Sequence, residues 1–220
     1  MNSRILTTIL VMTPFVVCAQ TNRVLDLNNL ANYANQPVPS YITKDNTPAN
    51  NPLTDAGATL GRVLFYDKKL STDNTIACAS CHLQQHAFGD PAQASVGVNG
   101  TTGRHSMRLI NTRFAVKGRF FWDERAASLE EQATMPIHDH VEMGFSGNNG
   151  DPAFASLVNK MADLEHYPIL FDFVYGDSDI TEERMQLAMA QFMRSIQSFD
   201  SRFDDGLAQT GDLQACGRLL

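Results

Sequence analysis

The segment Cys78-Ala79-Ser80-Cys81-His82 is the most informative part of this 220-residue chain. It is a CxxCH motif, in which two thiols three positions apart can each add across a vinyl group of haem while the next residue ligates the iron. Given the chain's own Cys and His content, chance would produce only about 0.002 such matches. The motif therefore predicts covalent haem, with Cys78 and Cys81 as attachment residues and His82 as the proximal iron ligand.

Two other interpretations of the motif find less support. A zinc site needs a second pair of ligands, and only Cys216 and scattered histidines remain to supply it. A thioredoxin-type redox pair needs a βαβ context, and the sequence has no strand-like alternation of that kind.

Residues 1–19 are predicted to be a cleaved secretory signal. Arg4 gives a positive start, a short apolar stretch follows, and small residues precede a cut before Gln20. The alternative is a lipoprotein signal acylated at Cys18, which the bulky Val17 disfavours. Because haem is attached to CxxCH motifs outside the cytoplasm, both features predict an exported, periplasmic protein.

Composition and charge narrow the function classes. The chain is 43% hydrophobic and 19% charged, which is typical of a globular protein and argues against disorder. A net charge of −7 argues against nucleic acid as a partner. No second apolar stretch is long enough to predict a membrane span.

The periodicity predicts a mainly α fold with long irregular loops. Residues 20–52 are predicted to be an extended lead-in, and 53–208 a single domain in which 89–119 form a long loop. Four helices are predicted from their caps and apolar stripes. The first runs from the Thr54 cap to about Tyr66, and the second from the Ser128 capping box through Met135. The third begins at an Asp151-Pro152 cap and has an apolar face of Phe154, Leu157, Val158, Met161 and Leu164. The fourth runs from about Thr181 to Phe199.

Several blocks around the motif, in order, resemble the N-terminal haem domain of the bacterial di-haem cytochrome c peroxidase family, which includes MauG-type enzymes. The resemblance covers roughly residues 53–208 and is strongest between Phe120 and Gly144. The blocks are Gly61-Arg62-Val63-Leu64-Phe65-Tyr66-Asp67, Leu70-Ser71, Ala87-Phe88-Gly89-Asp90, Ser95-Val96-Gly97, Arg104 to Asn111, Phe120-Phe121-Trp122-Asp123-Glu124-Arg125-Ala126, Ser128-Leu129-Glu130-Glu131-Gln132-Ala133, Pro136-Ile137 and Glu142-Met143-Gly144.

The resemblance implies a cytochrome c-like haem domain and a distal pocket for peroxide. The haem on Cys78, Cys81 and His82 would be the peroxide-reacting one, and Gln132, Pro136 and Glu142 match the pocket positions. A carboxylate and an amide are residue types that suit the cleavage of peroxide. Heterolysis of the O–O bond moves a proton from one oxygen to the other, which a carboxylate can relay, and an amide can hydrogen-bond the peroxide.

The resemblance also implies a route for electrons. Trp122, the only tryptophan, matches the residue between the two haems of the family; it could also be a buried aromatic anchor, and both roles can hold at once. Arg125 and Asp123 are expected to hold this segment, and Arg125 could also meet a haem propionate.

Two positions depart from the family pattern. Val98 stands where a distal histidine ligates the resting iron in the best-known peroxidases, so an open or water-ligated iron is expected. His105 stands where the family has a calcium-binding asparagine, which weakens the inference of calcium because Ca²⁺ prefers oxygen ligands.

The family's second haem motif is absent from this sequence. The chain is therefore expected to be truncated, with 209–220 as the start of the interdomain linker and Cys216 as a free thiol. The leading hypothesis is a periplasmic peroxidase that reduces hydrogen peroxide with electrons from a small redox protein such as cytochrome c, and that turns over poorly as this chain alone. The alternatives are a mono-haem electron-transfer module and a MauG-like enzyme that oxidises a protein.

Overall fold

The computed structural model describes residues 25–210 and is mainly helical, as the sequence predicts. The helices are α1 (Asp55–Tyr66), α2 (Cys78–Cys81), α3 (Leu129–Thr134), α4 (Phe154–Ala162), α5 (His166–Tyr175), α6 (Glu182–Ser195) and α7 (Arg202–Thr210). Three short 3-10 turns lie at Lys68–Leu70, Gln84–His86 and Thr112–Phe114. The sheet consists of one small antiparallel hairpin, β1 (Val96–Gly97) and β2 (Gly100–Thr101), among the described residues.

Helix α1 begins and ends where the sequence predicts. The Thr54 side chain accepts a hydrogen bond from the main-chain N–H of Gly57 at 3.0 Å, which satisfies one of the free donors of the first turn. Leu60, Leu64 and Phe65 are buried and form the centre of the hydrophobic core. The apolar spacing of α1 therefore sets the face that packs inward.

The most extensive packing between helices of the described residues is that of α1 against α6. It depends on Gly61, because a Cβ atom at this position would lie 2.0 Å from the main-chain oxygen of Ala188. A helix pair can approach this closely only where one surface lacks a side chain. The contact places the buried α6 residues Met185, Met189 and Phe192 against the α1 core.

Helix α6 ends at Ser195, four residues before the predicted Phe199. From Ile196 the backbone is extended and pairs with the loop. The oxygen of Ile196 accepts from the N–H of Asn111 at 2.9 Å, and the Asn111 side chain accepts from the N–H of Ser198 at 3.0 Å. Local periodicity cannot reveal this pairing, which replaces the last predicted turn.

Helix α3 is capped by Ser128, whose side chain accepts from the N–H of Glu131 at 3.1 Å. The predicted capping box is only half formed, because the Glu131 carboxylate accepts from the N–H of Ala127 at 2.8 Å rather than from that of Ser128. The helix ends at Thr134, one residue earlier than predicted.

The predicted Asp151-Pro152 cap of α4 is wrong. The cap residue is Ala153, without a side-chain hydrogen bond, and the Asp151 carboxylate bonds instead to Ser146 Oγ at 2.7 Å and His140 Nδ1 at 2.8 Å. The predicted apolar face is present, with Phe154, Leu157 and Met161 buried.

Helices α5 and α7 were not among the predicted elements. The α5 sequence is apolar on more than one side, so it shows no clear helical period. Pro168 lies in the first turn of α5, where the main-chain N–H groups have no helical partner, so the missing N–H costs no helical hydrogen bond. The predicted loop at 89–119 is confirmed as irregular apart from the hairpin and one 3-10 turn.

Within the part of the chain that the structure describes, no helix combines the length and the apolar character needed to cross a bilayer. The predicted signal at 1–19, the cut before Gln20, the thiols of Cys18 and Cys216 and nearly all of the 209–220 segment lie outside the described residues.

Candidate active site

A cavity of about 590 Å³ opens between the CxxCH segment, the 102–125 region and the end of α3. This volume lies within the range of small-molecule and cofactor sites. Seven of the eight residues predicted from sequence to form the site line this cavity. The eighth, Cys78, lines a smaller adjoining cavity of about 50 Å³, and five of the seven line that cavity as well. The seven are Cys81, His82, Trp122, Arg125, Gln132, Pro136 and Glu142.

The His82 imidazole is held in an orientation suited to ligating a metal. Its Nδ1 lies 2.9 Å from the main-chain oxygen of Phe88. Because a carbonyl oxygen can only accept, Nδ1 carries the proton and Nε2 keeps its lone pair. Burial lowers the pKa of His82 and favours the same neutral imidazole. A carbonyl behind the ring is the usual partner of a ligating histidine.

The Phe88 carbonyl is placed by a tight turn. Ala87 and Phe88 both have left-handed backbone conformations, with φ of 59° and 55°. The turn closes where the oxygen of Leu83 accepts from the N–H of Phe88 at 2.9 Å and the N–H of Leu83 donates to Gly89 at 3.0 Å. Non-glycine residues pay a conformational cost in this region, so the hydrogen bonds between Leu83 and residues 88–89 must hold them there.

Both thiols of the motif are free and lie on the single turn of α2. The turn is supported by Ser80, whose side-chain oxygen accepts from the N–H of Ala77 at 3.0 Å. Burial raises the pKa of Cys78 to about 12, so its thiol is protonated at neutral pH. Two thiols, a histidine with an unprotonated Nε2 and a cavity of this size fit a covalently attached haem.

The backbone around Glu142 is fixed on every side. Each main-chain N–H and C=O of residues 141–143 has a hydrogen-bond partner within the protein, as buried polar groups require. The N–H groups of Val141 and Glu142 donate to Asp139 Oδ1 at 2.8 and 3.0 Å, and that of Met143 donates to the Asp139 oxygen at 3.3 Å. The three carbonyls accept from the N–H groups of Asn99, Val98 and Thr72 at 3.2, 3.1 and 3.0 Å.

The hairpin can reach this segment because of Gly97. A Cβ atom there would lie 2.0 Å from the main-chain oxygen of Val141. The glycine therefore permits the close approach that puts the hairpin N–H groups on the carbonyls beside Glu142.

The Glu142 carboxyl lines the cavity without a hydrogen bond from any side chain that the structure describes. Its pKa is raised to about 7, first by burial and second by the negative charge of Asp139, with Arg125 acting in the opposite direction. A carboxyl with a pKa near neutrality can both accept and release a proton at physiological pH, which general acid–base catalysis needs.

Gln132 and Pro136 lie on the same wall as Glu142. Gln132 is on α3, and its side-chain amide has no partner among the described residues. It lines both cavities, as do Pro136 and Glu142. A free amide is therefore available to donate to a molecule in the cavity.

Trp122 is 60% exposed, so the interpretation of this residue as a buried aromatic anchor is wrong. Its indole N–H donates to the main-chain oxygen of His105 at 2.8 Å, which holds the ring at the rim of the cavity. The neighbouring Asp123 pairs with Arg104 at 2.7 Å and with Arg125 at 3.0 Å.

The rim of the cavity carries more positive than negative charge. Arg125 stacks over the Phe121 ring with 3.5 Å between the guanidinium carbon and the ring centroid. The cationic lining residues are Arg104, Arg108, Arg119 and Arg125, against Asp123, Asp139 and Glu142. Such a rim suits the carboxylates of haem propionates.

Val98 and His105 do not form a second ligand set. Val98 contributes its N–H to the Glu142 segment, and its aliphatic side chain cannot bind iron. The Nε2 atom of His105 lies 2.7 Å from the oxygen of Asp90. Among the described residues, no group of three or more His, Cys, Asp or Glu side chains is placed to hold a metal ion.

Two residues of this site have no role in the sequence-based prediction. The carbonyl of Phe88 acts through its backbone, which carries no side-chain signal. Asp139 could be found from sequence, because an aspartate commonly accepts from the N–H two residues ahead of it.

The helical fold and the CxxCH segment define a c-type haem protein with a cytochrome c-like domain. A family model described as di-haem cytochrome c peroxidase matches residues 55–212. The methylamine utilization protein MauG of Methylophilus methylotrophus is 37% identical over 172 residues, 76% of this chain and 47% of that protein. The cytochrome c peroxidase Ccp of Escherichia coli K12 is 34% identical over 194 residues, 81% of this chain and 39% of that protein. This chain therefore belongs to the di-haem cytochrome c peroxidase family.

Solved structures agree with the fold. The crystal structure of a MauG-like protein associated with microbial copper homeostasis matches with a TM-score of 0.70 and 32% identity, covering 81% of this chain and 51% of that one. The diheme peroxidase BthA of Burkholderia thailandensis matches with a TM-score of 0.62 over 74% of this chain and 44% of that one. The chain spans about half the length, or less, of these relatives.

Proposed function

We propose that this chain is the peroxide-reacting haem domain of a periplasmic peroxidase, with haem attached to Cys78 and Cys81 and ligated by His82. One observation carries the proposal. The Glu142 carboxyl, which has a pKa of about 7 and no side-chain hydrogen bond within the described residues, lines the same cavity as His82, whose Nε2 is unprotonated because Nδ1 donates to the Phe88 carbonyl. That pairing suits hydrogen peroxide as the substrate.

The bound haem would supply the iron centre that passes electrons to the peroxide. The residues would move the protons. A Glu142 carboxylate oxygen takes the proton from one peroxide oxygen and delivers it to the other, which leaves as water when the O–O bond breaks. Over the full reaction, two electrons and two further protons convert hydrogen peroxide into two water molecules.

Gln132 and the arginines would orient the reactants. The Gln132 amide is free to donate to the peroxide, and Pro136, which lacks an N–H, closes the same wall without competing for it. The Arg125 guanidinium and its neighbours at the rim would pair with the propionates.

The electrons would come from a small redox protein such as a c-type cytochrome, through exposed Trp122. An acidic chain at −7 suits a basic donor. Delivery from such a donor would depend on the second haem of the family, whose motif this sequence lacks.

The prediction of export with a cleaved signal belongs to the same proposal. Calcium at His105 receives little support, since its ring nitrogen is engaged with a main-chain carbonyl.

A second candidate function is oxidation of a protein substrate. The relative with 37% identity is named as a MauG protein, and exposed Trp122 gives an outside partner access to the rim of the cavity. The third hypothesis, a mono-haem electron carrier, predicts no reaction with peroxide.

The test uses the full chain matured in a host with haem-ligation machinery. Stopped-flow spectroscopy with hydrogen peroxide should show a fast reaction that Glu142→Gln slows by about 10²–10⁴-fold, while haem content stays constant. Exposed Glu183 supplies the matched control, Glu183→Gln, which should react like the parent protein. Equal rates for Glu142→Gln and the parent would overturn the assignment. A parent protein that does not react would select the carrier.

A further inference from the structure

The turn that presents Glu142 is built around Asp139. Its carboxylate Oδ1 accepts from the N–H groups of Val141 at 2.8 Å and Glu142 at 3.0 Å. Its main-chain oxygen accepts from the N–H groups of Met143 at 3.3 Å and Gly144 at 2.8 Å. Asp139 is therefore the partner of four successive N–H groups and fixes the path of the backbone through Glu142.

The same carboxylate also contributes a charge to the cavity. Asp139 lines the cavity together with Glu142, and its negative charge is the second cause, after burial, of the raised pKa of Glu142. Arg125, from the segment before α3, is the group of opposite sign that acts on Glu142.

Other charged residues that line the cavity are not among the causes of the raised pKa of Glu142. These are Arg104, Arg108, Arg119 and Asp123. Residues 96–101 of the hairpin contain no titratable side chain, and α3 contributes the neutral amide of Gln132. The thiols of Cys78 and Cys81 also interact with Glu142, but haem attachment would convert both to thioethers, which do not titrate.

We propose that Asp139 is a positioning residue for the peroxide reaction, whose carboxylate both holds the turn that presents Glu142 and keeps a negative charge beside the Glu142 carboxyl. The proposal rests on the proposed function, since it assigns a role toward the acid–base group of that reaction. It goes beyond the proposed function by naming a residue that, in addition to burial, shifts the range of pH over which Glu142 works.

The two roles can be separated by substitution. Asp139→Asn keeps an acceptor oxygen for the turn but removes the charge, whereas Asp139→Ala removes both. Without the charge, the pKa of Glu142 falls, so the carboxylate form needed to accept the peroxide proton persists to lower pH. In Asp139→Asn the acid midpoint of the peroxide reaction should move down by about 0.5 pH unit or more, with the maximal rate within about twofold of the parent.

Asp139→Ala should behave differently. Two N–H groups of the turn lose their acceptor, and the maximal rate should fall by roughly tenfold or more because the carboxyl is no longer held in place. Asp163→Asn, at the exposed C-terminal end of α4, is the control and should leave both the midpoint and the maximal rate unchanged.

A second measurement does not depend on turnover. Difference infrared titration of the haem-loaded protein follows the C=O band of protonated Glu142, assigned by its loss in Glu142→Gln. The band should titrate at lower pH in Asp139→Asn than in the parent. Circular dichroism and haem content verify that each variant has folded.

The outcomes distinguish this proposal from the proposed function. An unchanged midpoint and infrared titration in Asp139→Asn would overturn the charge role, and a parent-like maximal rate in folded Asp139→Ala would overturn the turn role. If Glu142→Gln reacts with peroxide like the parent, the proposed function itself fails. Asp139 then has no role in the reaction through Glu142, whatever its own variants do.

Discussion

The guanidinium of Arg194 on α6 makes two hydrogen bonds to the carboxylate of Glu130 on α3, at 2.5 and 3.0 Å. Arg194 is only 2% exposed, and it also donates to the side chain of Asn46 at 3.0 Å. Burial alone would raise the pKa of Glu130, but the hydrogen bonds from Arg194 and Asn51 outweigh it and lower this pKa. The pair therefore ties α3, which carries Gln132, to the core helix and to the lead-in segment.

Arg194→Met should be strongly destabilising. The methionine fills part of the space, but Glu130 is left buried without its charged partner, which typically costs about 3–5 kcal/mol in the free energy of unfolding. Urea unfolding of the haem-loaded protein measures the change. Arg202→Met, at an exposed position on α7, is the control and should change stability by less than about 0.5 kcal/mol. A loss below 1 kcal/mol in Arg194→Met would show that water reaches the Glu130 carboxylate.

Gly61→Ala should loosen the contact between α1 and α6. The added methyl would lie 2.0 Å from the main-chain oxygen of Ala188, and a backbone atom cannot rotate away as a flexible side chain can. The helices must separate, which typically costs about 1–3 kcal/mol. Thermal unfolding measures the change. Gly103→Ala is the control, because nothing lies within 4 Å of the added atom there, and equal effects of the two substitutions would contradict the explanation.

The sequence predicts the site better than it predicts the loops that form it. A CxxCH motif fixes Cys78, Cys81 and His82 within one turn of chain, and the family blocks identify Gln132 and Glu142, which lie together at the cavity. The left-handed turn behind His82 carries no such signal, because Ala87 and Phe88 are not residues that favour a positive φ.

The sequence misplaces helix ends where contacts outside the helix compete with the local preference. Asp151 follows the local rule for a cap, yet its carboxylate is engaged by His140 and Ser146. The helical stripe extends to Phe199, yet the backbone leaves α6 earlier to pair with Asn111, and the Phe199 ring packs on Phe114 with centroids 5.4 Å apart. The contacts that end α6 are long-range and those of Asp151 are not, but helical periodicity encodes neither kind.

Trp122→Phe should separate the reaction with peroxide from the supply of electrons. The ring is largely exposed and its single hydrogen bond goes to the oxygen of His105, so its loss should cost about 1 kcal/mol or less in stability. We expect an unchanged first reaction with peroxide. The return to the resting spectrum with reduced cytochrome c, which is expected to be slow for this chain alone, should become slower still, because phenylalanine is harder to oxidise than tryptophan. Stopped-flow spectroscopy resolves the two phases.

The control for this prediction is Phe203→Leu, which removes another exposed ring, on α7, and should leave both phases unchanged. If Trp122→Phe returns to the resting state as fast as the parent, electrons reach the haem by another path and Trp122 serves only to hold the rim of the cavity.

The raised pKa of Glu142 also predicts how stability depends on pH. Its pKa is about 7 in the folded protein, against the ordinary 4.5 of an unfolded chain. The folded state therefore binds this proton more tightly than the unfolded chain does. The stabilisation of the folded protein that results is fully present below pH 4.5 and is lost as the pH rises through about 7. Above that point the buried carboxylate costs up to about 3 kcal/mol, since each pKa unit corresponds to about 1.4 kcal/mol.

Glu142→Gln should therefore be more stable than the parent in urea unfolding at pH 8, and nearly equal to it at pH 4.5, because the neutral amide resembles the protonated acid. Glu183→Gln, at the protein surface, should show no such difference between the two pH values. Parent and Glu142→Gln proteins with the same dependence on pH would mean that the carboxylate is well solvated in the folded state. In that case the cavity would be too wet to hold a carboxyl half-protonated near neutrality, and the relay assigned to Glu142 would lose its physical basis.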